Sequence, residues 1–152
     1  MRHRNHKHGL GLKKEHRAAV VAGLAAALFT HGRIRTTLSK ARALRPFAEK
    51  VITLAKNAAL TDDAAAKVHY RRLAVARVRD EAAVKTLFTE RATEFLKRPG
   101  GYTRIYKLGQ RVSDAAETAL IELVAGNDAG HKKTVKAPVA KKVKKAKTEA
   151  AA

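Results

Sequence analysis

The chain of 152 residues contains no cysteine, no tryptophan and only three prolines. Without cysteine it has no disulfides, no thiolate metal ligands and no cysteine nucleophile, and this composition fits a reducing compartment. Acidic residues are also scarce, because 13 aspartates and glutamates stand against 33 lysines and arginines, for a formal net charge of +20. A surface with this charge repels itself unless it meets a large polyanion, so nucleic acid is the expected partner.

The sequence also lacks an apolar run of the length that a membrane-spanning helix needs. The charged start, residues 1–4, is not followed by the apolar core of a signal peptide, and the alanine-rich stretch 18–29 has a helical pattern instead. We therefore expect a cytoplasmic protein with no membrane partner.

No catalytic, cofactor or metal site is convincing in this sequence. We find no nucleophile with a suitable base, no paired catalytic carboxylates and no glycine-rich phosphate loop. The acids at 62–63 and 80–81 are more simply explained as residues at helix N-termini. His3, His6 and His8 have no carboxylate or thiolate nearby, whereas a structural zinc site usually needs four ligands. We expect no enzyme activity, no small-molecule substrate, no cofactor and no bound metal.

Composition divides the chain into three parts. Residues 1–13 are a basic arm, residues 14–127 contain the periodic segments of a single globular domain, and residues 128–152 are a tail rich in lysine and alanine. The formal charge is +5 over residues 1–17, +8 over residues 18–130 and +7 over residues 131–152. Because the arm and the tail have too few apolar residues to fold alone, we expect both to be disordered without a partner.

Apolar residues at helical spacing predict four helices in the globular domain. The first covers residues 14–31 and is capped by Gly32, the third runs from the acids at 62–63 to about residue 79, and the fourth covers about 81–96 with a possible break near Thr89. Ser39 is the predicted N-cap of the second helix. Pro46 conflicts with that start, so the helix either kinks there or begins later.

Three short segments have the pattern of β-strands. In residues 33–37, alternation directs Ile34 and Thr36 to one face and the two arginines and Thr37 to the other. Residues 100–109 and 119–124 are predicted to pair as a hairpin across a loop at 110–118. Because a hairpin has two faces, helices must cover at least one of them. The sequence thus predicts an α+β fold in the order helix, strand, helices, strand, strand.

Basic residues lie on most of these predicted elements. On charge alone, the candidates for contacting nucleic acid are Lys7, Lys13, Lys14, Arg17, Arg33, Arg35, Arg42, Lys107 and Arg111. Aromatic residues make up only 5 % of the chain, which gives little support to a platform for stacking bases, although Tyr102 or Tyr106 could stack on one base. Recognition of phosphates and shape over several faces is the better physical description.

Several strings of residues occur together in a distinctive order. They include the opening tetrapeptide 1–4, residues 36–41, residues 71–74, the glycine-tyrosine-threonine-arginine string at 101–104 and residues 121–124. Over residues 1–124 this order resembles the bacterial large-subunit ribosomal protein L17 family. The resemblance implies a two-layer domain with helices packed on a small mixed three-stranded sheet. It also implies a structural role in the cytoplasmic large ribosomal subunit, bound to large-subunit rRNA and neighbouring ribosomal proteins near the exit of the polypeptide tunnel.

The resemblance also implies a set of rRNA-binding residues. They are Arg2, His3, Arg4, Thr36, Thr37, Lys40, Arg71, Arg72, Arg77, Arg79, Tyr102, Thr103 and Arg104. The alternative function is a nucleoid-associated protein that compacts DNA, because residues 132–147 resemble the tail of a linker histone in composition. The strings in the folded part favour the ribosomal family over this alternative.

Overall fold

The computed structural model describes residues 8–124, and the elements follow the predicted order. They are α1 (Lys14–His31), β1 (Arg33–Thr37), α2 (Leu38–Leu60), α3 (Ala64–Val78), α4 (Glu81–Thr86), β2 (Thr103–Gln110) and β3 (Glu117–Leu123). A π-helical turn, Leu87–Arg91, and a 3₁₀ turn, Ala92–Phe95, follow α4. The predicted α+β class is confirmed, whereas residues 1–7 of the predicted arm and the whole predicted tail lie outside the described residues.

The sheet is antiparallel throughout, with strand order β1-β3-β2. The predicted hairpin of β2 and β3 is confirmed, and its loop is shorter than expected because the strands extend to Gln110 and from Glu117. The mixed sheet implied by the resemblance is wrong. The strands β1 and β2 run in the same direction, but β3 separates them, so no parallel pair forms.

Helices cover one face of the sheet, which we call the inner face. Ile121 of β3 is fully buried there and pairs with Ile34 on one side and Ile105 on the other. The helix α2 contacts all three strands, and α1 contacts β1 and β3. The predicted two-layer architecture is confirmed, and the shared core lies between these two helices and the inner face.

The helix α2 begins directly after β1 and continues through a proline. Thr37 occupies its N-cap position without a capping side-chain hydrogen bond, so the predicted cap at Ser39 is wrong. The helix does not start later either, because Pro46 lies inside it. The proline ring lacks the N–H that would bond the carbonyl of Arg42. Burial of the apolar stripe of α2 against the sheet offsets that loss.

Acidic side chains cap the next two helices, as predicted. The Oδ1 atom of Asp63 accepts the Ala65 N–H at 2.9 Å, and Oδ1 of Asp80 accepts the Ala83 N–H at 3.1 Å. Between them, Arg79 ends α3 in the left-handed conformation with φ of 62°. The predicted break in the fourth helix is also present and begins at Leu87.

Candidate nucleic-acid interface

The face of the sheet opposite the helices carries most of its basic side chains. Residues paired across neighbouring strands point to the same side of a sheet, and successive residues point to opposite sides. Two rows across β1, β3 and β2 therefore share this face, with the isoleucine row of the inner face between them. They are Arg33, Glu122 and Arg104, and then Arg35, Leu120 and Tyr106. We call these six residues the outer sheet face.

The geometry of the outer sheet face suits phosphate binding. Arg33 and Arg35 are exposed and Arg104 is half-buried. Strands lie about 4.8 Å apart and alternate residues on a strand about 7 Å apart, so these three arginines lie within roughly 12 Å of one another. A guanidinium can donate two parallel hydrogen bonds to one phosphate. Glu122 is the one acidic member of the set. The three arginines can therefore hold adjacent phosphates of one nucleic-acid strand.

Two other residues of the set, on β2 and β3, give the outer sheet face an apolar part. Tyr106 is 42 % exposed, and its hydroxyl accepts a hydrogen bond from Nη1 of Arg104 at 3.2 Å. Leu120 is half-buried directly opposite Tyr106 on β3. The face therefore combines cations on both edge strands with an aromatic ring on β2 opposite an aliphatic side chain of β3.

Two predicted contact residues have side chains that point into the fold instead. Tyr102 is 4 % exposed and meets Phe95 edge-on, with ring centroids 5.4 Å apart. Thr103 is 5 % exposed and donates to Oε1 of Glu49 on α2 at 3.1 Å. Both side chains therefore contribute to the interior of the domain, and their contact with RNA stays a prediction.

The strand-to-helix turn divides its predicted residues between the two faces. Thr36 pairs with Ala119 on the inner face, whereas Thr37 pairs with Thr118 on the other side. Lys40 is half-buried and Arg42 exposed in the first turns of α2. The structure thus brings part of this predicted group close to the end of β1, beside the outer sheet face.

A second basic surface belongs to the helical layer. The arginines of α3 and its C-cap are all exposed: Arg71, Arg72, Arg77 and Arg79. The helix packs against α2, α1 and α4. The helices α1 and α2 cover the inner face, so the α3 arginines belong to the helical layer and the outer sheet face to the opposite side of the sheet. The structure does not bring these two predicted groups into one cluster.

In the hairpin loop, an ion pair engages one of the predicted cations. Arg111 donates to Asp114 from Nε at 2.8 Å and from Nη2 at 2.5 Å. These hydrogen bonds lower the pKa of Asp114 to about 2, helped by the N–H of Ala116, and they raise the pKa of Arg111. This exposed pair shapes the loop, Lys107 on β2 is exposed, and the contact of both cations with nucleic acid stays a prediction.

The remaining predicted residues lie near or before the first helix. Lys13 and Lys14 are exposed and Arg17 is half-buried at the start of α1. Arg2, His3, Arg4 and Lys7 lie outside the described residues. Within residues 8–124, no three histidine or acidic side chains cluster as potential metal ligands. In the same range, no helix has the length and apolar character to cross a membrane.

The family model of ribosomal protein L17 matches residues 20–124, which include all three strands and nearly all of the helices. The chain belongs to the ribosomal protein L17 family. As a member of this L17 family, it is a ribosomal protein and not an enzyme. The resemblance found in the sequence strings is thereby confirmed.

Relatives of this L17 chain agree over most of its length. The large ribosomal subunit protein bL17 of Opitutus terrae is 61 % identical over 135 residues, which are 88 % of this chain and 79 % of that protein. The bL17 protein of Methylacidiphilum infernorum is 50 % identical over 126 residues, covering 83 % of this chain and 90 % of the relative. That of Neorickettsia sennetsu is 47 % identical over 124 residues, covering 82 % of this chain and all of its own.

Prediction from the L17 chain's sequence missed two members of the outer sheet face, Leu120 and Glu122. Both lie in the apolar run of β3. The sequence pattern predicts that this run is a strand, but it does not show which strands flank it on either side. The signal that links them to the arginines is the strand register, and it depends on the central position of β3. The sequence offers Tyr102 and Tyr106 equally as residues that stack on a base, and only the structure separates the exposed ring from the buried one.

Proposed function

We propose that this L17-family chain is a structural component of the large ribosomal subunit and that it binds large-subunit rRNA through phosphate and shape contacts. The family match and the relatives named as large-subunit proteins support the first part. The outer sheet face supports the second part, because Arg33 and Arg35 of β1 share with the distant Arg104 of β2 the face of the sheet opposite the helices.

The separation of the basic surfaces supports contact with more than one segment of RNA. The outer sheet face belongs to the sheet and the α3 arginines belong to the helical layer, which favours contact with two segments of RNA over contact with one. Phosphate contacts of this kind fix position and carry no sequence information. The function is therefore to hold neighbouring RNA segments in a fixed arrangement.

We further propose that the site of assembly lies near the exit of the polypeptide tunnel, with neighbouring large-subunit proteins as additional contacts. The support for this position is the resemblance of residues 1–124 to the L17 family.

Co-sedimentation with ribosomal subunits tests the assembly. Large subunits from the native cells are washed in salt strong enough to strip surface-bound polycations, and the protein is then quantified. Stoichiometric retention on large subunits is the expected result. Recovery of the protein on chromosomal DNA instead would favour the nucleoid-associated alternative and refute the proposal.

Salt dependence tests the direct contacts with RNA. Each lost phosphate contact should flatten the slope of log K against log salt by about 0.7 to 0.9. Between 50 and 200 mM salt this corresponds to a roughly threefold smaller loss of affinity for the variant. We expect this change for Arg35→Ala and for Arg72→Ala, and an unchanged slope for Lys85→Ala, an exposed cation on α4 outside the predicted set. Equal slopes for all three variants would show that these arginines do not contact phosphates.

A further inference from the structure

The outer sheet face has a feature that phosphate binding alone does not use. The edge strand β2 carries an exposed tyrosine ring there, opposite an aliphatic side chain of β3, in a chain in which aromatic residues make up only 5 %. We propose that Tyr106 stacks on an unpaired base of the bound RNA while the arginines around it hold the adjoining phosphates. This inference rests on the proposed function, because it assumes that the chain binds RNA.

The surroundings of Tyr106 favour a nucleotide as its occupant. Arg35 lies across β3 in the same row, about 10 Å away, and Arg104 lies two residues earlier on the same strand. An apolar protein partner would have to bury these cations without compensation, at a substantial cost in free energy. A nucleotide offers an anionic phosphate to the arginines and a flat aromatic surface to the ring. Charge complementarity therefore favours RNA.

The hydrogen bond to the tyrosine hydroxyl prepares the ring for stacking. Nη1 of Arg104 lies 3.2 Å from Oη of Tyr106 and restricts the ring before any ligand arrives. The register also places Leu120 of β3 directly opposite Tyr106, at the Cβ spacing of about 5 Å typical of cross-strand pairs that interact. A ring that is already ordered loses less conformational entropy on binding.

The occupant must be an unpaired nucleotide. Bases inside an A-form duplex stack on each other and show a protein only their edges, so a tyrosine ring on a flat sheet has no access to their faces. Bases in loops, bulges and single strands have free faces, and stacking tolerates any base. Tyr106 thereby distinguishes unpaired RNA from duplex, which the arginines alone do not.

Two substitutions of Tyr106 in the full chain separate stacking from other roles. The probes are an unpaired RNA of about twelve nucleotides and an RNA duplex of the same length. We expect Tyr106→Leu to weaken binding of the unpaired RNA by about 5- to 140-fold, which is the usual range for one lost base stack, and to change duplex binding by less than about twofold. Tyr106→Phe keeps the ring and should bind both probes within about threefold of the wild type.

Tyrosine fluorescence gives a second measurement, because the chain has no tryptophan and three tyrosines. Unpaired RNA should quench part of the emission of the wild type, and the quenching should disappear in Tyr106→Leu. Tyr70→Leu is the matched control, since it removes a half-buried tyrosine from α3 and should leave the quenching in place.

Three outcomes would overturn the inference. Wild-type affinity of Tyr106→Leu for unpaired RNA would exclude stacking, and an equal loss on both probes would show that the ring serves the sheet instead. If Tyr106→Leu binds both probes as tightly as the wild type does but is no longer retained on large subunits, the outer sheet face contacts a protein. Failure of the wild type to bind either probe is different, because it refutes RNA binding itself and the proposed function with it.

Discussion

Glu122 offers a test in which the stability of the domain and its affinity for RNA should change in opposite directions. Its carboxylate lies on β3 between Arg33 of β1 and Arg104 of β2. Cross-strand pairs of opposite charge stabilise a sheet by roughly 0.2–1 kcal/mol each. Glu122→Gln removes this attraction on both sides and leaves two arginines that repel each other. We expect the free energy of unfolding to fall by about 1 kcal/mol.

The same change should strengthen RNA binding. A carboxylate in the middle of the outer sheet face repels every phosphate that the neighbouring arginines attract. At a separation of about 7 Å in water, one such repulsion amounts to roughly 0.6 kcal/mol, or about threefold in Kd. Glu122→Gln should therefore bind RNA about threefold more tightly at low salt, and the gain should shrink as salt screens it.

Glu117→Gln is the matched control. Glu117 lies on the same strand and pairs with the neutral Gln110, so its loss breaks no pair of opposite charges. It is also five residues from Glu122, about 17 Å along the strand and beyond the screening length of about 10 Å at 0.1 M salt.

Urea denaturation and fluorescence anisotropy with labelled RNA measure the two effects. The reasoning requires that Glu122→Gln unfold at lower urea and bind more tightly than Glu117→Gln. If the two variants share one urea midpoint and one Kd, the carboxylate of Glu122 neither pairs with the arginines nor faces the RNA.

Three further substitutions test the fold and the hairpin loop. Arg79→Gly should raise the free energy of unfolding by roughly 0.5–1 kcal/mol, because glycine adopts the φ of 62° without strain, and thermal unfolding would show it. Ile121→Ala should cost about 2–5 kcal/mol in urea denaturation, since the side chain is fully buried at the centre of the sheet. The carboxyl of Asp114 has a pKa lowered to about 2, so its ion pair with Arg111 should persist from neutral pH down through pH 4 and be lost as the pH falls through 2. Nuclear magnetic resonance titration should find that midpoint, and Arg111→Ala should move it toward the ordinary value.

The sequence predicted most of the helices and strands, because alternation and helix capping depend on residues that are close together in the chain. Alternation in residues 33–37 separated Ile34 from the two arginines, and the same alternation is present in β1. The acids before α3 and α4 cap those helices, as their position predicted. In each case the physical cause acts over a few neighbouring residues, so it is visible in the sequence.

Features that depend on distant contacts were not predictable in this way. Nothing within β1 tells which edge of the hairpin it joins, so the central position of β3 and the antiparallel sheet came only from the structure. Pro46 is unfavourable inside a helix by its own chemistry, and burial of α2 against the sheet overrides that preference. Similarly, Tyr102 follows Gly101, whose φ of 67° bends the chain so that the ring packs on Phe95.

The buried core and the exposed arginines of the sheet are fixed by the same register. Ile34, Ile121 and Ile105 form one row on the inner face, and the neighbouring rows carry Arg33, Arg35, Arg104 and Tyr106 to the opposite side. A slip of one residue in β1 would place an arginine in the half-buried position of Ile34 on the inner face, which is unfavourable for a charged group. The isoleucines therefore specify where the arginines lie, although they never contact a ligand. Because the register is set by the inner face, the charged side chains of the outer sheet face are arranged before any RNA binds.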